Sequence, residues 1–287
     1  MLTERHLEIF VALAEEEHFG AAAQRVGITQ PPLSQGLRRL EALLGVRLFD
    51  RDRGVALTEE GALLLPHART ALAAMAHLRS ATAREQAGSP RIRLGLAPEV
   101  PTSLVADLGA APVRAGGKAR ISVVTASTTA LLAQISSGRL DLAVTLHPAV
   151  LDGLAAGRIG LFRTWMLCPA GLSAPAAGRL PVAVRPRQDA PAAHDLFVDT
   201  LAGRGRRVET VVVPDERAGL ALVAAGQAVL FTADRTLAAA GVEPREAPDP
   251  ALPLRLRVVW DARGPAAEEV AEIAHLLTQT LVREAAA

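Results

Sequence analysis

The sequence predicts three parts in order along the chain: a small α-helical domain with a short hairpin, one long linker helix, and an α/β domain of two similar lobes. Three observations support this prediction. Apolar residues recur at helical spacings of three and four up to about residue 88. The segment Gly88-Ser89-Pro90 then interrupts the pattern, and after it strand-like apolar runs alternate twice with helical runs. Such alternation is typical of an α/β domain with a largely parallel sheet.

The composition is that of a folded protein with more than one domain. Of the 287 residues, 50% are hydrophobic and 21% are charged, and the formal net charge is +1. We find neither an N-terminal signal segment nor an apolar run of membrane-spanning length, so we expect a cytoplasmic protein without membrane contact. The single Cys168 cannot form an intramolecular disulfide, and we interpret it as a buried thiol.

Two helices joined by a tight corner are predicted first. The apolar residues of the first helix are Leu2, Leu7, Phe10, Val11 and Leu13. The small side chains of residues 21–25 allow another helix to approach the second helix closely. Gly27 tolerates a positive φ and ends that helix. Thr29 is a suitable N-cap for a third helix, and Pro31 is tolerated in its first turn.

The third helix has one apolar face and one polar face. Leucines recur at spacings of four, three and four, at Leu33, Leu37, Leu40 and Leu44. The remaining polar side chains are those of Gln30, Ser34, Gln35, Arg38 and Arg39. Amides can hydrogen-bond to base edges in a major groove, and Ser and Arg can bind phosphates. The alternative is an ordinary amphipathic helix with a solvated polar face, but the neighbouring corner and basic hairpin favour contact with DNA.

A short basic hairpin is predicted next. The run DRDRGVAL places Gly54 at the turn and Val55 and Leu57 on the returning strand. Arg51 and Arg53 near the tip could contact phosphates or a minor groove; the alternative is an exposed charged turn. We assign residues 1–58 to the predicted DNA-binding domain.

A long helix over residues 59–88 is predicted to dimerise the protein. Thr58 caps it, and a helix of this length would span roughly 42 Å, too long to pack on one small domain. A stripe with coiled-coil spacing runs along it, and Pro66 favours a kink near its start. The stripe consists of Leu64, Ala68, Ala71, Met75 and Leu78.

The α/β domain is assigned to residues 89–287. Strands are predicted at residues 92–98, 120–126, 140–146, 181–186, 207–214 and 228–232. Helices are predicted at about 102–113, 128–137, 192–202, 217–225 and 266–283. Two crossings, residues 159–167 and 254–260, join lobe I (about 91–160 and 255–287) to lobe II (about 161–254).

Hydroxyl groups near predicted helix N-termini are candidates for binding a small molecule between the lobes. They belong to Thr102, Ser103, Ser127, Thr128 and Thr129. Helix N-termini favour anions, so an organic carboxylate is the preferred class of effector. The alternative is that these hydroxyls only cap helices. His147, Arg185 and Phe231 could line the cleft from other loops.

The string TQPPLSQGLRRLEALLGVRLFDR carries a specific resemblance, in residue identities and order, to the LysR-type transcriptional regulators. This resemblance covers residues 2–65 and continues at lower specificity to the end of the chain. It implies a winged helix-turn-helix followed by a two-lobed effector domain with the type II periplasmic-binding-protein fold. Gly36 departs from the family, which more often has a longer side chain at this position. By resemblance, the DNA-binding residues are Thr29, Gln30, Pro31, Ser34, Gln35 and Arg38, with Arg51 and Arg53 on the wing.

The resemblance also implies partners: a double-stranded DNA operator, a second copy or three further copies of the chain, RNA polymerase, and a small-molecule effector. We find no motif for catalysis, a cofactor or a metal, and we interpret Asp141 and Asp199 as turn and cap residues. Two alternatives stay open. One is a constitutive DNA-binding regulator whose α/β part is an oligomerisation scaffold; the other is a cytoplasmic solute-binding protein.

Overall fold

A computed structural model describes residues 1–50, 55–87, 91–116, 120–203, 208–246, 252–263 and 267–286. The chain divides into two compact units. One is formed mainly by Met1–Gln86 and the other by Ala87–Ile135 with Leu140–Ala287. No helix among the described segments is both long and apolar enough to cross a membrane.

The first unit is helical with a two-stranded hairpin. Its elements are α1 (Glu4–Glu16), α2 (Phe19–Val26), α3 (Gln30–Leu44), β1 (Phe49–Asp50), β2 (Ala56–Leu57) and α4 (Glu59–Ala87). The hairpin strands pair antiparallel, as the sequence predicts. Gly54, Arg51 and Arg53, which we predicted at the tip of this hairpin, lie outside the described residues.

One hydrophobic core joins α1 to α3. Phe10, Leu13, Leu33, Leu40 and Leu48 have no exposed surface. Leu33 and Leu40 belong to the predicted apolar stripe of α3, whereas Leu44 at its end is 38% exposed. The stripe therefore orients α3 by burying its leucines and leaving its polar side in solvent.

Packing against α1 explains why α3 has a glycine at position 36, which the sequence alone did not explain. A Cβ atom at this position would lie 2.5 Å from Cδ1 of Ile9. Ile9 of α1 is buried and occupies the space that a longer side chain would need. Glycine lowers the stability of the helix by about 1 kcal/mol relative to alanine, but at this position it allows α1 to approach α3 closely.

The start of α4 is fixed to the hairpin. The Thr58 hydroxyl accepts a hydrogen bond from the Gly61 N–H at 3.0 Å, as expected for the predicted cap, and donates one to the Arg47 carbonyl at 2.8 Å. The Leu48 carbonyl accepts from the Thr58 N–H at 3.0 Å. Both sides of Thr58 are thereby bonded to the segment that leads into β1.

The predicted dimerisation stripe of α4 needs correction in its first half. Ala68 is only 2% exposed within the single chain, and Leu64 and Ala71 pack against the same helical core. These three residues face their own domain because α4 packs on it before continuing further. Met75 is partly exposed, and the side chain of Leu78 is outside the described part.

The second unit contains two lobes, each with its own sheet. Lobe I comprises β3 (Arg91–Leu96), α5 (Thr102–Arg114), β4 (Arg120–Thr125), α6 (Thr128–Ser136), β5 (Leu142–Leu146), β6 (Ala155–Ala156), β7 (Gly160–Phe162), β13 (Leu254–Trp260) and α10 (Ala267–Ala286). Lobe II comprises β8 (Trp165–Pro169), α7 (Ala174–Ala177), β9 (Val182–Val184), a 3-10 turn (Arg187–Asp189), α8 (Pro191–Ala202), β10 (Thr210–Val212), α9 (Glu216–Ala224), β11 (Val229–Thr232) and β12 (Val242–Glu246).

The sheet orders are β4-β3-β5-β13-β6 in lobe I, with β7 also pairing to β13, and β10-β9-β11-β8-β12 in lobe II. In each lobe the first three strands of this order run parallel, and the strands beyond them pair antiparallel. The parallel strands with crossover helices match the predicted α/β alternation. The carboxyl ends of these strands form the edges from which a binding cleft can be built.

Asp141, which we interpreted as a turn residue, forms an ion pair in lobe I. Its side chain is 1% exposed, and Arg93 Nη2 donates to it at 2.7 Å. The backbone N–H of Arg93 also donates to Asp141 Oδ2 at 2.8 Å. The residue does follow a turn, and it lies beside β3 at the entrance to β5, where the ion pair forms.

Candidate DNA-binding surface and interlobe cavity

The polar face of α3 is accessible to a partner. Gln30, Pro31, Gln35 and Arg38 are exposed, Thr29 is exposed just before the helix, and Ser34 is partly buried. Arg38 Nε donates to the carbonyl of Ser34 at 3.3 Å, one turn earlier. These six residues are the described part of the predicted DNA-binding set, and they form one continuous N-terminal surface of α3.

The corner between α2 and α3 is built tightly. His18, just before α2, caps it by accepting from the backbone N–H groups of Gly20 and Ala21 at 3.1 and 3.2 Å. A Cβ at Gly20 would lie 3.0 Å from Nε2 of Gln30, and Gly27 has φ +72°. Thr29 has N-cap geometry, but its hydroxyl makes no cap bond. The close approach of α2 therefore helps to position the first residue of α3.

Glu15 connects three helices of this domain. Its carboxylate accepts from Arg69 of α4 at 2.8 Å and from Arg25 of α2. Arg25 also donates to Glu16 at 3.0 Å. Glu15 and Glu16 are exposed, and their ion pairs join the end of α1 to α2 and α4 at the surface.

A cleft lies between the two lobes at the carboxyl ends of their strands. Its volume is about 160 Å³ and it is open in part to solvent. Most of the lining is apolar, and Phe197 and Phe231 form one wall with their rings edge to face, the centroids 5.6 Å apart. His147 and Arg185, which we expected together with Phe231, also line it.

The polar part of the cleft carries several charged side chains. Arg185 Nη2 donates to Asp189 at 2.7 Å, and its Nη1 donates to the carbonyl of Pro214. Arg185 Nε lies 3.8 Å from Glu99 Oε1 and has no hydrogen-bond partner among the described residues. Glu216, at the start of α9, accepts from the Thr232 hydroxyl at 3.2 Å.

The environment shifts the pKa of several of these groups. Burial raises the pKa of Glu216 to about 7, and the neighbouring carboxylates of Glu99 and Asp234 add to the rise. Burial likewise raises the pKa of Glu99. Burial lowers the pKa of His147, and the charges of Arg257 and Arg255 lower it further. At neutral pH, His147 is therefore uncharged and Glu216 is partly protonated.

The hydroxyl groups predicted to bind an effector do not line this cleft. Thr102 donates to Asp234, Thr129 donates to the carbonyls of Gln188 and Asp189, and Ser103 is exposed. Ser127 accepts from the Ala130 N–H at 3.3 Å, which is a cap bond. Thr128 is 2% exposed and accepts from the Leu146 N–H. The Ser127 bond is of the kind that the helix-cap alternative describes, whereas Thr102 and Thr129 bond to lobe II and Thr128 bonds to β5.

The hydroxyls of two of these residues, Thr102 and Thr129, bond lobe I to lobe II. Thr102 is the first residue of α5 in lobe I, and Asp234 follows β11 in lobe II. Thr129 belongs to α6 in lobe I, and its acceptors at 3.1 and 3.3 Å lie in the 3-10 turn of lobe II. These hydrogen bonds hold the two lobes in contact, and we refer to this arrangement as closed.

Sequence reasoning missed Glu99, Asp189 and Glu216. Each follows the end of a strand in its lobe, as residues at such a cleft do, and this position was the available signal. Among the described residues, no cluster of His, Cys, Asp and Glu could hold a metal ion. Cys168 is buried in β8, and burial raises the pKa of its thiol.

Comparison with known proteins agrees with both units. The family described as "Bacterial regulatory helix-turn-helix protein, lysR family" matches residues 4–62. The "LysR substrate binding domain" matches residues 85–281.

Relatives and solved structures extend this similarity over the whole chain. The HTH-type transcriptional regulator IlvR of Caulobacter vibrioides is 32% identical over 289 residues, covering 96% of this chain and 97% of the relative. A probable hydrogen peroxide-inducible genes activator of Mycobacterium xenopi is 41% identical over 154 residues, covering 52% of this chain and 80% of the relative. The crystal structure of full-length CbnR complexed with its target DNA is 19% identical, with a TM-score of 0.62 over 96% of this chain and all of that one. The chain therefore belongs to the LysR family of DNA-binding transcriptional regulators, with an N-terminal helix-turn-helix and a two-lobed effector-binding domain.

Proposed function

We propose that the exposed N-terminal surface of α3 contacts the bases and phosphates of an operator. The observation that supports this is the continuous set of Gln30, Ser34, Gln35 and Arg38 on a helix whose opposite face is buried. Amides and guanidinium groups are the side chains that read base edges and bind phosphates in a major groove. We include Arg51 and Arg53 as wing contacts, on the family resemblance alone.

The regulator acts as a dimer or a tetramer in this proposal, with Met75 and Leu78 of α4 at the contact between copies. The seven arginines of residues 1–58 are offset by eight Asp and Glu residues, so two copies are needed for useful affinity. It works in the cytoplasm, contacts RNA polymerase at its promoter, and performs no catalysis. Family membership supports these points.

An effector binds in the interlobe cleft and changes the contact between lobes. Coupling requires that the effector bind one arrangement more tightly than another. The bonds of Thr102 and Thr129 across the lobes are the contacts that such a change would break or strengthen. The cleft and the hydrogen bonds between the lobes together favour a regulator controlled by an effector, and they disfavour the constitutive alternative.

The name of the Mycobacterium xenopi relative raises the question of peroxide sensing. A sensor that closes a disulfide within one chain needs two cysteines, and this chain has only Cys168. Burial and the raised pKa of that thiol also disfavour the thiolate that oxidation requires. We therefore propose that the cleft binds a ligand and that the chain does not sense peroxide by an intramolecular disulfide.

A footprint tests the proposal. The full-length protein is incubated with the DNA upstream of its own coding sequence, with and without pools of small metabolites. Protection of two related half-sites is expected, with a change in its extent in at least one pool. Protection that no pool alters would favour the constitutive alternative, and absence of protection over a library of genomic fragments would contradict DNA binding by α3.

Trp165 provides an independent readout of the effector. Its ring lies at the start of β8, where the chain enters lobe II, between Arg163 at 4.7 Å and Arg235 at 4.9 Å. The sequence has only two tryptophans and no tyrosine. In a Trp260→Phe variant the emission therefore reports on this position alone, and an active pool should change it.

A further inference from the structure

The charged groups of the cleft are unequally balanced. Glu99, Asp189, Asp215 and Glu216 contribute four carboxylates against the guanidinium groups of Arg255 and Arg185, and Arg185 lies among the carboxylates. Its two terminal nitrogens already donate to Asp189 and to the carbonyl of Pro214. Glu216 has only the Thr232 hydroxyl as a hydrogen-bond donor among the described residues, and Glu99 is 3.8 Å from the nearest guanidinium nitrogen. Neither of these carboxylates, one from each lobe, accepts a hydrogen bond from a cation among the described residues, although Glu99 forms a long ion pair with Arg185.

We propose that the effector is a small molecule with an apolar body and a protonated amine, and that the amine binds between Glu99 of lobe I and Glu216 of lobe II. This inference rests on the proposed role of the cleft as the effector site. It replaces the organic carboxylate that the sequence led us to expect. An ammonium group would supply the missing donors to both lobes at once, so its binding would favour the closed arrangement.

The remaining lining suits the apolar body. The edge-to-face pair of Phe197 and Phe231 forms a rigid wall, and Val184, Val213 and Leu252 extend it. Aromatic walls of this kind bind flat or compact hydrocarbon groups by burial of apolar surface. The cleft thus combines one acidic region with an otherwise apolar surface.

An anionic ligand would meet an unfavourable environment here. Its charge would lie near the four carboxylates of the lining, and the two terminal nitrogens of Arg185 already donate to protein acceptors. The third nitrogen, Nε, lies 3.8 Å from Glu99 Oε1. Such a ligand could bind only if Glu216 took up a proton and became a donor. The direction of proton exchange therefore distinguishes the two ligand classes.

Glu216 titrates among charged groups from several elements. Glu99 faces it from lobe I, Asp234 from the end of β11, and Arg185 from the end of β9. Asp215 precedes Glu216 in the chain, and its carboxylate accepts a hydrogen bond from the Ala218 N–H at 2.8 Å. Because the pKa of Glu216 is raised to about 7, binding of an ammonium ion should lower it and release a proton.

The experiment compares three probes of the same size and different charge: cyclohexylmethylamine, cyclohexylmethanol and cyclohexanecarboxylate. Binding to the full-length protein is measured by calorimetry in buffers of different ionisation enthalpy between pH 6 and pH 8. An alkylamine has a pKa of about 10.4 and stays protonated over this range. We expect the amine to bind best, to release protons, and to gain at least three-fold in affinity as the pH rises.

Variants identify the carboxylates. Glu216→Gln and Glu99→Gln should each weaken binding of the amine at least ten-fold, and Glu216→Gln should also abolish the proton release. Glu209→Gln removes an exposed carboxylate from the same lobe outside the cleft and should leave binding unchanged. Circular dichroism and thermal melting verify that each variant is folded, and the two cleft variants serve as independent tests.

The possible results distinguish failure of the amine proposal from failure of the proposal that the cleft binds the effector. Tighter binding of the carboxylate, with proton uptake, would overturn the amine proposal and leave the cleft as an effector site. Binding of the amine that neither cleft variant weakens would also overturn it. If none of the three probes binds at millimolar concentration, both the amine inference and the effector role of the cleft fail.

Discussion

Asp234 of lobe II accepts two hydrogen bonds from Thr102 of lobe I, one from the backbone N–H at 3.1 Å and one from the hydroxyl at 2.6 Å. Burial alone would raise the pKa of Asp234, but the hydrogen bonds from Thr102 and Thr236 outweigh it, so the pKa lies below its ordinary value. The pKa of Asp234 is lower in the folded protein than in the unfolded chain, where it is about 3.9. The hydrogen bonds therefore stabilise the folded protein at pH values above the unfolded pKa. This stabilisation is lost as the pH falls through the pKa of the folded protein. The lobe contact should therefore be complete at neutral pH.

Thr102→Val should loosen this contact without unfolding either lobe. The hydroxyl bond is lost while the backbone bond remains, so the cost should be about 1 kcal/mol. Hydrogen exchange at the N-terminus of α5 should become faster in the ligand-free protein. Ser103→Ala, at an exposed neighbouring position, is the control and should leave the exchange rates unchanged; a similar acceleration there would contradict the assignment.

Arg38→Ala should weaken operator binding at least several-fold while the melting temperature stays the same. The side chain is exposed and its only described bond is to the Ser34 carbonyl, so little stability depends on it. Fluorescence anisotropy with a labelled operator fragment measures the affinity. If Arg38 binds a phosphate, the slope of log affinity against log salt should also fall by about 1. Arg114→Ala in α5 is the matched control, and equal losses in both variants would argue against a specific contact.

Gly61→Ala should destabilise the helical unit by at least about 2 kcal/mol. A Cβ at this position would lie 2.2 Å from the carbonyl oxygen of Leu48, a backbone atom that cannot move without disturbing β1. Gly109→Ala in α5 is the comparison, because a Cβ there would have no neighbouring atom within 4 Å and alanine should stabilise that helix by up to about 1 kcal/mol. Thermal melting of both variants gives the test; a neutral Gly61→Ala would contradict the described packing.

Asp141→Ala should cost about 3–5 kcal/mol, because it leaves the guanidinium of Arg93 and a backbone N–H without their acceptor in a largely buried site. Asp107→Ala breaks a pair with Arg114, whose side chain is 60% exposed, and should cost less than about 1 kcal/mol. Chemical denaturation in a Trp165→Phe background, followed by the fluorescence of Trp260 in lobe I, compares them. Equal losses would mean that burial of the Asp141 pair carries no extra stability.

Sequence reasoning was most successful where apolar periodicity decides the structure. The spacing of Leu33, Leu37 and Leu40 predicts both the helix and the face that it buries, and the two βαβ patterns predict both sheets. Strand β12, Val242–Glu246, was missed because it is a mostly exposed edge strand with a polar sequence that includes Pro244. The strand pairs with β8, which is distant in the sequence, and the local pattern of apolar residues does not predict such a pairing.

The effector cleft was harder to predict, because its polar groups come from distant parts of the chain. In a sequence, a hydroxyl at a helix N-terminus is compatible both with a helix cap and with an anion-binding site. The observed hydrogen-bond partners of Ser127 and Thr129 distinguish these two roles. Glu99 and Glu216 belong to different lobes, so the sequence could not bring their carboxylates together. Ala68 gave a similar ambiguity, since a small residue at heptad spacing fits either a dimer seam or an internal core.

The bonds of Glu15 to Arg25 and Arg69 have a consequence for the operator. Together with the close packing of Gly61 on Leu48, they join α1, α2 and the first turns of α4, and the shared hydrophobic core attaches α3 to them. In a dimer held by α4, the distance between the two α3 helices is then fixed by the protein, and the DNA must match it. Insertion of about five base pairs between the half-sites, half a turn of the double helix, would place the second half-site on the wrong side of the DNA.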